Sequence, residues 1–318
     1  MHFRNISQEL EVTKFKKNIE REIENYFESK GFSIIEPRLF QNYDDFILSN
    51  LRKDSSKIVK ILGGDSNIYT LRSDITTNIL EQIFSKWEGE PPLKVYYNSK
   101  IYKNESSGKL LQNYQMGIES LGDNILSADE QIIEMALSVM GTLGESYILE
   151  LGSSKFLDEY FREMDLKPID ELEIRSLIIK KNRDGLRAKL KSLQIQHTIL
   201  NKIFDMQGDM GETIKLAKSC EINEEMKRAL SSLEYLNKLF LSKGLVHRIK
   251  LDLSMIQDID YYDGIIFKGF CQSIPTKILS GGRYDKSTEK YGKKVPAIGF
   301  MIDMDLITRI RMEGKGNG

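Results

Sequence analysis

The chain has 318 residues, with 46 lysines and arginines against 47 aspartates and glutamates, and its formal net charge is −1. This balance argues against a protein that coats nucleic acid or an anionic membrane, since both need a surplus of basic residues. Two cysteines are too few for a disulfide framework or an unaided structural zinc site. No apolar run approaches the roughly 20 residues of a membrane span, and no signal-peptide stretch is visible. We therefore expect a cytoplasmic protein of about two domains that needs no metal.

The first half of the chain mixes one long helix with short strands. Apolar residues at 3–4 spacing mark the helices, and alternating or aromatic-rich runs mark the strands. In chain order the predicted elements are a helix over 8–30, a strand over 32–37, a strand over 69–72, a helix over 74–84, and strands over 94–103 and 112–121. A short polar loop joins the last two strands, so we expect them to be antiparallel. Ser127 and Glu130 match a capping box and predict a helix through Met140.

The second half is helical first and then returns to strands. Residues 157–243 are predicted to be helical. One apolar stripe in this block is typical of a buried core: Met226, Leu230, Leu233, Leu236 and Phe240. After Gly244 the predicted strands are an alternating run from His247 to Leu253 and glycine-bounded runs over 264–270, 278–281 and 297–302.

This order of elements predicts an α+β fold with an antiparallel sheet flanked by helices and interrupted by a helical insertion. A βαβ repeat is not expected, because the helices cluster between two sets of strands. The predicted parts are a first portion over 1–152, the insertion over 153–245, a second portion over 246–311 and a disordered tail over 312–318.

Common catalytic signatures are missing from the sequence. It contains no G-x-x-x-x-G-K-[ST], H-E-x-x-H, G-x-S-x-G or C-x-x-C. The three histidines, His2, His197 and His247, have no clustered partners along the chain. We therefore expect neither a metal site nor a Ser-His triad.

The segment 71–77 carries an acid and hydroxyl side chains from a predicted strand to the start of a helix. Asp74 and Thr76 are the side chains of interest, because they would meet a ligand at this junction. Asp74 equally fits a simple N-cap, which would give it a purely structural role. The sequence leaves both interpretations open.

A second polar group lies on the predicted strand over 112–121. Residues i and i+4 of a strand point to one face, so Gln115 and Glu119 project together beside Asn113. A carboxylate on an otherwise apolar strand needs a partner or a solvated cleft. The alternative is a sheet surface that faces solvent.

Two later segments combine glycines with aromatic and charged residues. The run 258–267 fits either a turn with packed tyrosines or the aromatic wall of a polar pocket. In the run 280–285, two glycines precede Arg283, so the backbone would approach a ligand while the guanidinium meets a carboxylate or phosphate. Each segment alone is a weak signal.

In their order and spacing, these segments resemble the catalytic domain of class II histidyl-tRNA synthetases over residues 8–310. Residues 69–76 match the strand that carries an acid and a threonine for the amino group of histidine, and residues 95–105 with 113–119 match motif 2. Residues 260–267 match the histidine-recognition segment, and residues 281–285 with 296–300 match the region leading into motif 3. The last two strings together are specific to the histidyl branch.

The departures from the synthetase pattern concern cations. Where that family has arginines, this sequence has Lys103 in motif 2, Gln257 before the histidine-recognition segment and Leu306 in motif 3. Losing one donor to the transition state costs about 10²–10³ in rate, so efficient adenylation is not expected. The sequence also stops shortly after motif 3, so we expect no anticodon-binding domain and no tRNA partner.

A synthetase-like chain that keeps histidine recognition without catalysis resembles the regulatory subunits of ATP phosphoribosyltransferase. The aspartate at position 74, where synthetases usually have glutamate, is common in that regulatory family. The resemblance implies a subunit without catalytic residues or cofactors that is needed by a short-form catalytic subunit and binds L-histidine for feedback inhibition. It also implies dimers that assemble into a hetero-octamer. The alternatives are a truncated synthetase-like enzyme that activates an amino acid with ATP, and a free-standing amino-acid sensor.

The resemblance also assigns roles to particular residues. Asp74 and Thr76 would hold the α-ammonium group of histidine, and Gln115 and Glu119 would contact it from the sheet. The remaining assignments are Tyr261 and Tyr262 around the imidazole, Gly281 and Arg283 over the carboxylate, and Lys103 as a candidate contact for an anion.

Overall fold

The computed structural model describes residues 5–49, 55–64, 66–88, 92–105, 107–196, 198–256 and 262–315. The first elements are α1 (Ile6–Ser29), β1 (Ser33–Ile34), β2 (Phe40–Asn42), α2 (Tyr43–Ser49), β3 (Lys60–Leu62), β4 (Ile68–Leu71), α3 (Thr76–Phe84), β5 (Leu93–Asn104) and β6 (Leu110–Leu121). Next come α4 (Ile125–Gly141), β7 (Tyr147–Ser153), α5 (Ser154–Met164), α6 (Pro168–Ile179), α7 (Arg183–Ser192), β8 (Gln207–Gly208), α8 (Met210–Lys218) and α9 (Glu224–Ser242). The last are β9 (Ile249–Asp252), β10 (Ile265–Cys271), β11 (Leu279–Arg283), α10 (Asp285–Glu289), β12 (Ala297–Asp303) and α11 (Met304–Lys315).

The chain divides into two compact units. The first comprises described residues within 1–123, 291–293 and 299–318, and the second those within 124–290 and 294–298. The predicted insertion over 153–245 falls inside the second unit, and its boundaries stay a prediction.

The first unit contains two sheets. In one, the strand order is β1-β5-β6 and then residues 299–303 of β12. Strands β5 and β6 form the predicted antiparallel hairpin, in register from Leu93 opposite Leu121 to Asn104 opposite Leu110. The other sheet has the order β2-β4-β3 and is antiparallel.

Helix α1 covers one face of the hairpin through hydrogen bonds as well as apolar contacts. Its start is fixed by a capping box between Asn5 and Gln8. Tyr96 donates to Glu28 at 2.7 Å, and the Asn98 amide donates to Glu24 at 2.7 Å. This coverage leaves the opposite face of β5 and β6 for the candidate site.

The second unit is built on the strand order β11-β10-β7-β9-β8. The pairs are antiparallel except for β7 with β9, which run parallel. Helix α9 packs against α5 and α8, and its apolar stripe is buried as predicted. The predicted α+β class is therefore confirmed, although β1 with β5 and β7 with β9 depart from a purely antiparallel sheet.

Several local expectations differ from the structure. Helix α4 begins at Ile125 because Asn124, not Ser127, caps it by accepting from the backbone N–H groups of Leu126 and Ser127. His247 lies in a 3₁₀ turn before β9, and four strands have no counterpart among the predicted ones: β2, β3, β7 and β8. Residues 312–315, expected in a disordered tail, continue α11, where an i,i+4 ion pair between Arg309 and Glu313 supports the last turns.

Candidate functional site

The face of the hairpin opposite α1, in the first unit, carries a buried carboxylate. Gln115 and Glu119 share this face of β6, as their spacing predicts, and only 7% and 2% of their surfaces are exposed. The Thr76 hydroxyl donates to Glu119 Oε1 at 2.6 Å. A solvent-facing surface is therefore excluded for Glu119, which lies beneath the start of α3.

Asp74 and Thr76 occupy the junction between β4 and α3. The Asp74 carboxylate accepts, through one oxygen, from the backbone N–H and the hydroxyl of Thr77 at 2.9 and 3.0 Å. Asp74 therefore has a structural role, since it satisfies a donor of the first helical turn, although the N-cap residue itself is Ile75 and not Asp74. The same contacts fix the Asp74 carboxylate at the start of α3, two residues before Thr76, which binds Glu119.

The position of Glu119 depends on a glycine of the neighbouring strand β12. A Cβ atom built on Gly299 would lie 2.0 Å from Glu119 Oε2 and 2.3 Å from the Ile118 carbonyl oxygen. No side chain fits at position 299 while the carboxylate occupies this place. Gly299 lies in the stretch 296–300, which was matched on resemblance alone, and the position of Glu119 explains why this residue is a glycine.

Gln115 belongs to a chain of amide and carboxylate contacts. It donates to Asn113 Oδ1 at 2.8 Å, and Asn113 donates to Asp303 Oδ2 at 2.6 Å. Asp303 also accepts from backbone N–H groups at the start of α11, so this chain of contacts is anchored in the fold.

Tyr97 is a residue of this face that sequence reasoning did not assign. It lies opposite Gly117 in the hairpin and is 1% exposed. A Cβ atom at position 117 would lie 2.4 Å from the Tyr97 hydroxyl oxygen, so the phenol crosses β6 between Gln115 and Glu119. The sequence signal for this arrangement was Gly117, which follows Gln115 by two residues and precedes Glu119 by two.

Lys103 lies on the same face but far from Glu119. Glu119 is opposite Val95, and Lys103 follows Val95 by eight residues. Eight residues of an extended strand span about 27 Å. The exposed Lys103 is therefore placed toward the tip of the hairpin rather than beside the buried carboxylate.

Arg283 is the centre of a buried ionic network in the second unit. Its guanidinium donates to Asp129 through two nitrogens, to Asp285 at 2.9 Å and to the Ile125 carbonyl oxygen at 3.1 Å. Burial raises the pKa of Asp129 to about 6, against the opposing effect of Arg283. These contacts give Arg283 a structural role and do not support its predicted contact with a ligand carboxylate.

Tyr262 packs directly on the glycine pair of β11. A Cβ atom at Gly282 would lie 2.7 Å from the Tyr262 ring, so the ring covers the glycine backbone. Gly281 is buried in β11 opposite Phe267.

Asp263, next to Tyr262, accepts from the backbone N–H groups of Asp285 and Lys286 at 2.9 Å each. The carboxylate therefore caps α10, and burial raises its pKa.

Two predicted positions lie outside the described residues: Tyr261, assigned to the imidazole, and Gln257, which replaces a synthetase arginine. Leu306 lies in the first turn of α11. Within the part of the chain that the structure describes, no group of three or more His, Cys, Asp or Glu is placed to hold a metal ion. Among those same residues, no helix is long and apolar enough to span a bilayer.

Comparison with known proteins identifies the family. The family model of histidyl-tRNA synthetase matches residues 9–307. An ATP phosphoribosyltransferase regulatory subunit from Clostridium novyi (strain NT) is 34% identical over 302 residues, which cover 92% of this chain and 71% of the relative. The chain belongs to the histidyl-tRNA synthetase-like family of ATP phosphoribosyltransferase regulatory subunits. The family predicted by resemblance is confirmed, and its relatives' names agree with a regulatory rather than catalytic subunit.

Solved structures agree on the fold of this regulatory-subunit family. An ATP phosphoribosyltransferase regulatory subunit/histidyl-tRNA synthetase from Bacillus halodurans C has a TM-score of 0.82 at 24% identity, covering 94% of this chain and 79% of that one. An ATP phosphoribosyl transferase (HisG:HisZ) complex from Thermotoga maritima contains a chain with a TM-score of 0.69 at 17% identity. The match covers 95% of this chain and 98% of that chain. These likenesses confirm the predicted class II synthetase-like fold.

Proposed function

We propose that this chain binds L-histidine and transmits feedback inhibition to a short-form ATP phosphoribosyltransferase catalytic subunit, whose activity depends on it. The observation that carries the proposal is the buried Thr76–Glu119 pair, in a chain of this regulatory family. A buried carboxylate is suited to a cationic ligand group, because charge-assisted hydrogen bonds in a water-poor site are strong.

The proposed site takes its polar contacts from the first unit. Asp74 and Thr76 hold the α-ammonium group at the start of α3, while Gln115 and Glu119 contact the ligand from the sheet. For Tyr261, Tyr262 and Gly281 we keep only the assignment that the resemblance implies, to the imidazole and the carboxylate of the ligand. Arg283 is left out, because its guanidinium already binds Asp129 and Asp285.

The proposal extends to assembly. The chain forms dimers and joins the catalytic subunit in a cytoplasmic hetero-octamer, without tRNA. The Thermotoga maritima structure is that of an ATP phosphoribosyl transferase complex, which supports a catalytic partner of this kind. Feedback then requires histidine to favour one of two states of the complex by about 1–3 kcal/mol, which corresponds to a 5- to 150-fold difference in affinity.

The direct test is a pair of substitutions at equally buried carboxylates. Glu119→Gln should weaken histidine inhibition of the assembled complex by about tenfold or more, because a hydrogen-bonded charge is lost. The matched control is Glu20→Gln, since Glu20 is also 2% exposed but lies on α1, which covers the opposite face. Inhibition and co-purification with the catalytic subunit are measured for both. Equal histidine sensitivity of the two variants would exclude Glu119 from the site.

Lys103 is the observation that favours the second candidate, an amino-acid-activating enzyme, since it keeps a positive charge in motif 2. Its distance from Glu119 along β5 and the leucine at position 306 argue against a cationic centre for adenylation. Histidine-dependent exchange of pyrophosphate into ATP separates the candidates. We expect no exchange above the rate without protein, and exchange that needs Lys103 would establish the enzyme instead.

A further inference from the structure

Residues 291–293 belong to the first unit and lie along helix α3. The ring of Tyr291 stacks on Phe84 at the end of the helix, with centroids 5.5 Å apart and planes 9° from parallel. Its hydroxyl donates to the Thr77 carbonyl oxygen in the first turn at 3.4 Å. One side chain therefore reaches both ends of α3.

The next contact in this segment fixes the chain just beyond α3. The Lys293 ammonium group donates to the Trp87 carbonyl oxygen and lies 5.3 Å from the centre of the Trp87 ring. Between the two contacting residues, Gly292 has a φ of +76°, a turn that glycine adopts without strain. We call residues 291–293 the α3 strap.

The strap meets α3 at the end that carries the proposed ligand contacts. Thr77, whose carbonyl oxygen binds Tyr291, also donates twice to Asp74 and follows Thr76 directly. Burial, together with the neighbouring carboxylates of Glu81 and Asp74, raises the pKa of Tyr291 to about 12. Asp74 and the strap are therefore neighbours.

Other contacts hold α3 independently of the strap. The Asn78 amide donates to the Arg38 carbonyl oxygen at 3.1 Å, and the Gln82 amide donates to the Glu36 carbonyl oxygen at 3.2 Å. The helix also contributes buried apolar residues, among them Ile79 and Leu80. Loss of the strap should thus shift the start of α3 rather than unfold it.

We propose that the α3 strap positions Asp74 and Thr76 for the ammonium group of the ligand, with Tyr291 and Lys293 as positioning residues. This inference rests on the proposed function. It extends that function to a segment about 215 residues away in sequence from the side chains it orients.

The test compares L-histidine with imidazolepropionate, which lacks the ammonium group. Calorimetry on the full chain measures both affinities for wild type, Tyr291→Ala, Tyr291→Phe and Lys293→Met. Lys294→Met is the matched control, because Lys294 is adjacent in sequence, exposed and paired only at the surface with Glu289. Trp87, the single tryptophan, gives a second readout of the strap by fluorescence.

A positioning role predicts that Tyr291→Ala and Lys293→Met weaken histidine binding about fivefold and leave imidazolepropionate binding unchanged. Tyr291→Phe, which keeps the stacked ring, should lose less affinity for histidine than Tyr291→Ala. Lys294→Met should bind both ligands as wild type does. An equal loss for both ligands, or no loss in either variant, would overturn the strap's role. If Tyr291→Ala does not fold, Lys293→Met decides the matter. If wild type binds no histidine, the proposed function itself fails.

Discussion

Arg283 and Asp129 show how a residue chosen for a ligand by its type is used for the fold instead. The guanidinium is 5% exposed and its donors meet two carboxylates and a carbonyl oxygen. Removing one partner of such a buried pair is strongly destabilising, by about 3–5 kcal/mol, because the other charge is left buried. The network therefore holds α4 against β11 in the second unit.

The pH dependence of stability should reveal Asp129. Its pKa is about 6 in the folded chain and about 3.9 in an unfolded one, so between these values the folded state binds more protons. The free energy of unfolding should then fall as the pH rises from about 4 to 6, by on the order of 3 kcal/mol from this group. Urea unfolding of wild type and Asp129→Asn at several pH values in this range measures, for each, the slope of the free energy of unfolding against pH. Parallel curves would show that burial does not raise this pKa.

Single residues differed in how well the sequence predicted them. Glu119 and Gln115 were found because strand spacing alone places them on one face, and Thr76 is a near neighbour of a predicted strand. Asp129 lies 154 positions from Arg283, and the sequence holds no local signal for such a pair. Tyr291 was missed for the same reason.

Helix α9 gives the clearest prediction about a whole element. Leu233 is fully buried, whereas Tyr235, two residues later, is 40% exposed. Leu233→Ala should lower the free energy of unfolding by about 2–5 kcal/mol through lost burial and a cavity. Tyr235→Ala in the same helix should change it by about 0.5 kcal/mol or less. Chemical denaturation of both variants tests this prediction. Similar losses in the free energy of unfolding would show that Leu233 is not part of the core.

Elements with strong periodicity were predicted well, and their ends less well. The long helix α1 and the β5–β6 hairpin follow directly from apolar spacing and a short loop. The start of α4 was wrong because two polar residues competed for the cap, and Asn124 lies nearer the first apolar residue. Strand β7 was missed because its burial comes from pairing with β10 and β9, which are distant in sequence.

For the molecule as a whole, the sequence predicted the α+β class and the family through motif order. Its length suggested about two domains, but it did not predict where the chain divides or that residues 291–293 return to the first unit, because both depend on long-range packing. The candidate site follows the same pattern. Its polar floor was predictable from one strand, but the glycine at 299 that admits Glu119 and the strap beside α3 became visible only in three dimensions.

The central claim is that this chain activates a partner and makes it sensitive to histidine. The most direct measurement is phosphoribosyl transfer to ATP by the cognate short-form catalytic subunit, with and without this chain, across a histidine titration. We predict activity only in the mixture, suppressed as histidine rises. A catalytic subunit that is equally active and equally insensitive to histidine with and without the chain would contradict the account.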